Sequence, residues 1–184
     1  GEFCKKGDLI LYDALCHNSI VQGCKLSSAE TKAFPHNDYR ILEQILKGNR
    51  SKYEKVLIVV EGAYSMDGDI APIPQFVRIK KEYGCFLMVD EAHSVCVIGE
   101  HGGVVDEYFQ LAPRDIDLKM GTLSKGLGTC GGYIAADHNI VEYMRYNVPG
   151  FVFSVGISPV LTAAALQAIR ILRRDNTAVR QLQQ

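Results

Sequence analysis

Two short stretches constrain the fold of this chain more than anything else: "KVLIVVEG" (residues 55–62) and "CFLMVDEAHSV" (residues 85–95). Each is a continuous apolar run of strand length, without the in–out alternation of a half-exposed strand. Such runs suit strands buried on both faces, as in a parallel sheet covered by helices on either side. Between them, "QFVRIKKEYG" spaces its apolar residues as a helix does, with Pro72 and Pro74 ahead of it and Gly84 closing it. The alternation continues in both directions. "DLILYD" reads as a strand, residues 18–26 as a short helix, and residues 31–34 as another strand. "NDYRILEQILKGN" carries a helical stripe of Ile41, Leu42, Ile45 and Leu46, with Asn37 or Asp38 as its cap and Gly48 as its stop. "IDLKMGTL" and "GGYIAAD" flank a glycine-rich loop. The expected class is α/β, with a largely parallel sheet.

With 184 residues the chain is long enough for one domain with a sizeable core. Apolar residues make up 47% and the net charge is −1, so nothing points to nucleic acid or to an anionic membrane surface. No apolar run approaches the roughly eighteen residues of a membrane span, and "GEFCKKGD" lacks the apolar centre of a signal peptide. The six cysteines form no C-x-x-C pair and several sit in apolar runs, which fits reduced thiols and a cytoplasmic location. The last stretch, "SPVLTAAALQAIRILRRDNTAVRQLQQ", reads as one long helix without a stop. That pattern suggests a fragment.

The run ending in Asp90, Glu91 and His93 serves two unrelated chemistries. A nucleotide-hydrolysing motor would need a G-x-x-x-x-G-K-[ST] loop upstream, and there is none. A pyridoxal-phosphate enzyme would need a downstream lysine among glycines and hydroxyls. "GTLSKGLGTCGG" supplies Lys125, with Thr122 and Ser124 before it and Gly126, Gly128, Gly131 and Gly132 after it. A buried carboxylate keeps such a cofactor's ring nitrogen protonated, and a desolvated lysine amine is nucleophilic near neutrality. No cluster of His, Cys and carboxylates shows metal-ligand spacing, so no metal is expected, and His36, His101 and His138 have no assigned role.

"LYDALCHNSIVQG", "VEGAYSMDGDIAPI", "LMVDEAHSVCVIG" and "GTLSKGLGTCGGYIA" together resemble the α-oxoamine synthases, in the same order and over most of the chain. That resemblance implies the large domain of a fold-type I pyridoxal-phosphate-dependent transferase, a mostly parallel sheet with helices on both faces. Residues 1–184 would be its central part, with an N-terminal segment and a C-terminal small domain absent, and alone it would have little or no turnover. The implied reaction condenses an amino acid with an acyl thioester of coenzyme A or a carrier protein, with decarboxylation, in a homodimer. The implied cofactor is pyridoxal 5'-phosphate. On the matching positions, Asp90 pairs with the pyridine nitrogen, His93 contacts the phenolic oxygen, and Lys125 is the Schiff-base lysine. Thr122 matches the phosphate-binding threonine, His17 the histidine that stacks on the ring and moves protons, and Ser65 the serine near the phenolic oxygen. Glu61 would be a supporting group. Ser154 keeps the hydroxyl of a segment that reaches the partner subunit's phosphate, although Val155 replaces its usual polar neighbour. An aminotransferase using the same Asp90 and Lys125, or a non-catalytic partner subunit, are the alternatives. His17 speaks against the first, since aminotransferases more often stack an aromatic residue, and Lys125 against the second.

Overall fold

The computed structural model describes residues 2–184. Six strands form one sheet: β1 (Leu9–Asp13), β2 (Glu30–Phe34), β3 (Val56–Glu61), β4 (Phe86–Asp90), β5 (Leu118–Thr122) and β6 (Gly132–Ala136). Their order is β2-β1-β3-β4-β5-β6. All neighbours run parallel except the last pair, β5 and β6. Every residue of β3 is buried, as its continuous apolar run requires.

Helices cover both faces. On one side α2 (Tyr39–Asn49), α3 (Ile73–Tyr83) and α4 (Val104–Phe109) bury Leu42, Leu46, Phe76, Ile79 and Val105 against alternate residues of β1, β3 and β4. On the other, α1 (Asn18–Lys25) and α5 (His138–Asn147) pack Cys24, Ile140 and Met144 on Ile10, Leu57, Val59 and Leu118. Each large aliphatic side chain so buried contributes about 1.5–3 kcal/mol. A third, smaller cluster joins α7 (Pro159–Arg174) to the glycine-rich loop through Ala165, Leu123 and Leu127.

The elements differ from expectation in three places. Gly48 does not stop α2, which continues to Asn49 and into a single 3-10 turn, Arg50–Lys52. The stop is Arg50, whose guanidinium donates to the carbonyls of Tyr53, Tyr83 and Gly84 at 2.8–3.0 Å and pins the chain to the end of α3. The expected long terminal helix is broken. Asp175 is extended (φ −148°, ψ 113°), and its carboxylate accepts the Thr177 N–H at 2.9 Å, starting a separate α8 (Thr177–Leu182). Beyond these, α4, α5 and the one-turn α6 (Pro149–Val152) were not anticipated. Asp38 rather than Asn37 caps α2, accepting from Arg40 and Ile41.

Candidate active site

Parallel pairing brings four strand ends to one edge: Asp13 of β1, Glu61 of β3, Asp90 of β4 and Thr122 of β5. Glu61 lies beside Asp90 in register, and Asp90 beside Met120. The strand order reverses between β1 and β3, the point where open α/β sheets leave a ligand crevice outside their carboxyl ends. At that point the His17 backbone N–H donates to Glu61.

Asp90 is 4% exposed. Its Oδ1 accepts the Ala92 N–H at 2.9 Å, and among the described residues nothing donates to Oδ2. Burial pushes its pKa up, opposed by the Ala92 bond and by the fields of Lys125, His17 and His93, and the net shift is upward. A buried carboxylate with one unclaimed oxygen suits a cationic N–H donor, which would restore its charge. Glu61 is raised for the same first reason, burial. The His17 N–H opposes that shift and the Asp90 charge adds to it.

His93 Nε2 lies 2.6 Å from Lys125 Nζ. An ammonium only donates, so Nε2 accepts and the neutral ring keeps its proton on Nδ1. Burial, then the nearby Lys125 charge, lowers the His93 pKa, in agreement with a neutral ring. Lys125 itself is exposed on the loop between β5 and β6. The desolvated lysine expected from the sequence is therefore not found among the described residues, because the loop lies on the open edge of the sheet.

That loop is held from below. A Cβ on Gly126 would lie 2.6 Å from the Val95 carbonyl oxygen and 2.8 Å from Cys96 Cβ, so only glycine lets Lys125 pack on the turn that carries His93. Gly128 and Gly131 take positive φ (62° and 125°). Thr129 Oγ1 donates to the Leu161 carbonyl of α7 at 3.1 Å. Thr122 Oγ1 donates to the Gly131 carbonyl at 3.2 Å, meets Ser124 Oγ at 2.8 Å and accepts the Ser124 N–H. Two hydroxyls thus stand side by side next to Lys125.

His17 caps α1, as a histidine before a helix often does: its Nδ1 accepts the Ser19 N–H at 3.2 Å and lies 2.8 Å from Ser19 Oγ. The cap fixes the ring and leaves the proton of the neutral form on Nε2. Ser65 and Ser154 are not brought into the cluster. Ser65 is exposed in the loop of residues 62–71, and the exposed Ser154 donates to the Phe151 carbonyl of its own turn. Sequence reasoning passed over Glu91, which is 1% exposed and whose oxygens have no hydrogen-bond partner among the described residues, although Ser94 and the Val105 N–H are close. Strand alternation was the available signal: if Asp90 faces the edge, Glu91 faces the core.

The site is an open shelf, with His17, Ser124 and Lys125 exposed. Two hollows are lined by other residues. One of about 540 Å³ is lined by Met120, Tyr133, Val141, Met144 and Phe151, and one of about 570 Å³ lies between Cys96, His101, Leu127 and α7.

A model of the aminotransferase class I and II family matches residues 2–184. The chain belongs to this family. It is 42% identical to 8-amino-7-oxononanoate synthase of Treponema denticola, over 91% of this chain and 42% of that protein. It is also 42% identical to serine palmitoyltransferase 3 of Caenorhabditis elegans, over 95% of this chain and 36% of that one. A serine palmitoyltransferase from S. paucimobilis, solved with a PLP–myriocin aldimine bound, superposes with a TM-score of 0.86 at 37% identity, covering 93% of this chain and 44% of that chain. The α-oxoamine synthase resemblance carried by the four motifs holds. The chain spans less than half the length of these relatives. Among the described residues no helix is long and apolar enough to cross a membrane.

Proposed function

We propose that the protein is a pyridoxal-phosphate-dependent C-acyltransferase of the α-oxoamine synthase kind, and that residues 1–184 form the central part of its cofactor-binding large domain. The observation that carries this reading is the meeting of Lys125 Nζ and His93 Nε2 at 2.6 Å beside buried Asp90, at the carboxyl edge of a parallel sheet. The relatives' names and the PLP-bound neighbour support it. The donor set also fits the cofactor. It offers one anionic oxygen free in a buried place, a neutral histidine acceptor, a primary amine, paired hydroxyls and a loop too tight for side chains.

Bound pyridoxal phosphate would supply an electron sink for a carbanion at the amino acid's α-carbon. Asp90 would keep the cofactor's ring nitrogen protonated through Oδ2. Lys125 would anchor its aldehyde and would take the amino acid's α-proton. His93 and Ser65 would hold the phenolic oxygen. Thr122 would bind the phosphate, and Ser154 would reach the phosphate of a second subunit in a homodimer. His17, with its proton on Nε2, would stack on the ring and deliver protons to the condensed product. The substrates would be an amino acid and an acyl thioester.

Adding pyridoxal 5'-phosphate to the intact protein is expected to give an absorbance band near the visible edge, fixed by borohydride as a label on Lys125. Lys125→Ala should lose the band and at least about a thousandfold of turnover, because the residue acts in two steps. A band undiminished in that variant would sink the reading.

A further inference from the structure

His36 takes no part in this chemistry, yet its ring bridges two carboxylates. Nδ1 lies 2.9 Å from Asp13 Oδ1 at the end of β1, and Nε2 lies 2.9 Å from Asp69 Oδ2 in the loop after β3. Asp13 also accepts the N–H groups of Leu15 (2.8 Å) and Asn37 (2.7 Å), as an ionised carboxylate does. An imidazolium gives each carboxylate a ring N–H to accept, and Asn37 Nδ2 lies 3.2 Å from Nε2 beside the same Asp69 oxygen. Asn37, in the left-handed region (φ 54°), adds its Nδ2 to Asp69 Oδ2 at 2.6 Å. The side chains of His36, Asp67 and Asp69 approach one another as metal ligands would. An imidazolium has no lone pair to offer, so the cluster is an ion-pair bridge.

The bridge closes on the loop that carries Ser65. The loop folds on itself: Tyr64 N–H donates to the Asp69 carbonyl at 3.0 Å, Gly68 N–H to Tyr64 at 2.9 Å, and Ala71 N–H to Gly62 at 3.2 Å. Tyr64, the residue before Ser65, meets the His36 ring edge to face at 4.5 Å, and its hydroxyl accepts the Glu61 N–H at 3.3 Å. Holding Asp69 and Tyr64 therefore holds Ser65 between them.

We propose that His36 is a positioning residue: as an imidazolium bridging Asp13 and Asp69 it ties the Ser65 loop to the ends of β1 and β2. The value of this tie for catalysis rests on the function proposed above; the bridge itself does not. Asp13 from β1, Asp67 and Asp69 from the loop, and the Tyr64 phenol are the titratable groups that face the ring. Burial alone would lower the His36 pKa, but the bonds and charges of Asp13 and Asp69 outweigh it and the net shift is upward. A raised cationic group stabilises fully below its unfolded pKa, and that contribution is lost as pH rises through the folded value. The bridge thus has both its donors in mild acid and loses one of them as the ring deprotonates in base.

Long-range ¹H–¹⁵N spectra of the intact protein, followed against pH, should show the His36 ring doubly protonated in mild acid. Its midpoint should lie above that of an ordinary histidine and fall by about one unit in Asp69→Asn. In His36→Gln, one of the two donors is lost. Amide exchange at Tyr64, Gly68 and Ala71 should quicken about tenfold while β3 and β4 stay protected. The pH midpoint of the cofactor band should move by about half a unit in His36→Gln and in Ser65→Ala alike. An ordinary midpoint for the ring, or unmoved loop amides, overturns the bridge. A band that responds to Ser65→Ala and not to His36→Gln overturns the positioning role. Should His36→Gln fail to fold, Asp69→Asn gives the same exchange and band readouts. Absence of any band in the wild type would overturn the functional reading alone, since the ring and exchange measurements need no cofactor.

Discussion

The β3–β4 half of the site is part of the sheet, whereas the β5–β6 half rides on a loop. Asp90 and Glu61 sit in paired strands at 4% and 3% exposure, with their backbones fixed by the ladder. Lys125 is exposed and reaches the same place through a glycine-rich turn seated on Val95, Cys96 and α7. The carboxylate must hold a charge against burial, so a rigid, dry position suits it. The amine must attach, detach and carry a proton, so it needs freedom to move. Beyond the β4–β5 ladder and the seat of the turn, the functional side chains of the two halves meet at the His93–Lys125 contact.

The largest effect that tests this division is expected from Asp90→Asn. The amide cannot hold a ring-nitrogen proton by charge, so turnover should fall by on the order of a hundredfold or more. The borohydride-trapped label on Lys125 should persist, because the loop half is untouched. Steady-state kinetics and peptide mapping of the label read the two halves separately. Loss of the label in Asp90→Asn would show that the halves are not independent.

Most of the rigid half was legible in the sequence. Continuous apolar runs place β3 and β4 in the middle of the sheet, and the acidic residues at their ends then fall on one edge. The four motifs pointed to Asp90, His93, Lys125, Thr122 and His17. What escaped depends on relations that local pattern does not carry. The Lys125 exposure reflects what does or does not lie over the loop. The His36 bridge joins partners 23 and 33 positions away. Ser65 and Ser154 are exposed in segments whose placement depends on contacts with distant residues, such as the His36 bridge, that local pattern does not show. The missed α5 was more readable: Asp137 precedes a stripe of Ile140, Val141 and Met144, a start signal followed by helical spacing.

The loop half is probed by Gly126→Ala. The added Cβ meets a backbone oxygen, which cannot swing away as a flexible side chain would, so the loop must lift from the His93 turn. A destabilisation of about 1–3 kcal/mol is expected, as for other overpacked sites. The His93–Lys125 contact should also loosen, with cofactor affinity falling more than turnover of the loaded enzyme. Denaturant unfolding and cofactor titration check both. Unchanged affinity would mean that the seat of the loop does not set the lysine's position.

The smallest effect belongs to Glu91 and separates the sheet's own strain from its chemistry. This residue follows Asp90 but turns to the opposite face, where its Oε2 and Ser94 Oγ fill the space that a Cβ on Gly62 would need. Burial is the main reason that its pKa is pushed up to about 7, with the Asp106 charge adding to the rise and Ser94 and Lys119 opposing it. An acid with a raised folded pKa binds its proton more tightly when folded. The native state therefore loses stability as pH climbs from the unfolded value, near 4.5, towards 7. Glu91→Gln keeps the shape and removes the charge. It should stabilise the protein by roughly 1–2 kcal/mol in mild base and change little in mild acid, where Glu91 is already neutral. Unfolding curves at the two pH values give the difference directly. An equal effect at both would mean that Glu91 is neutral or paired throughout, and that the buried half of the site carries no charge strain behind Asp90.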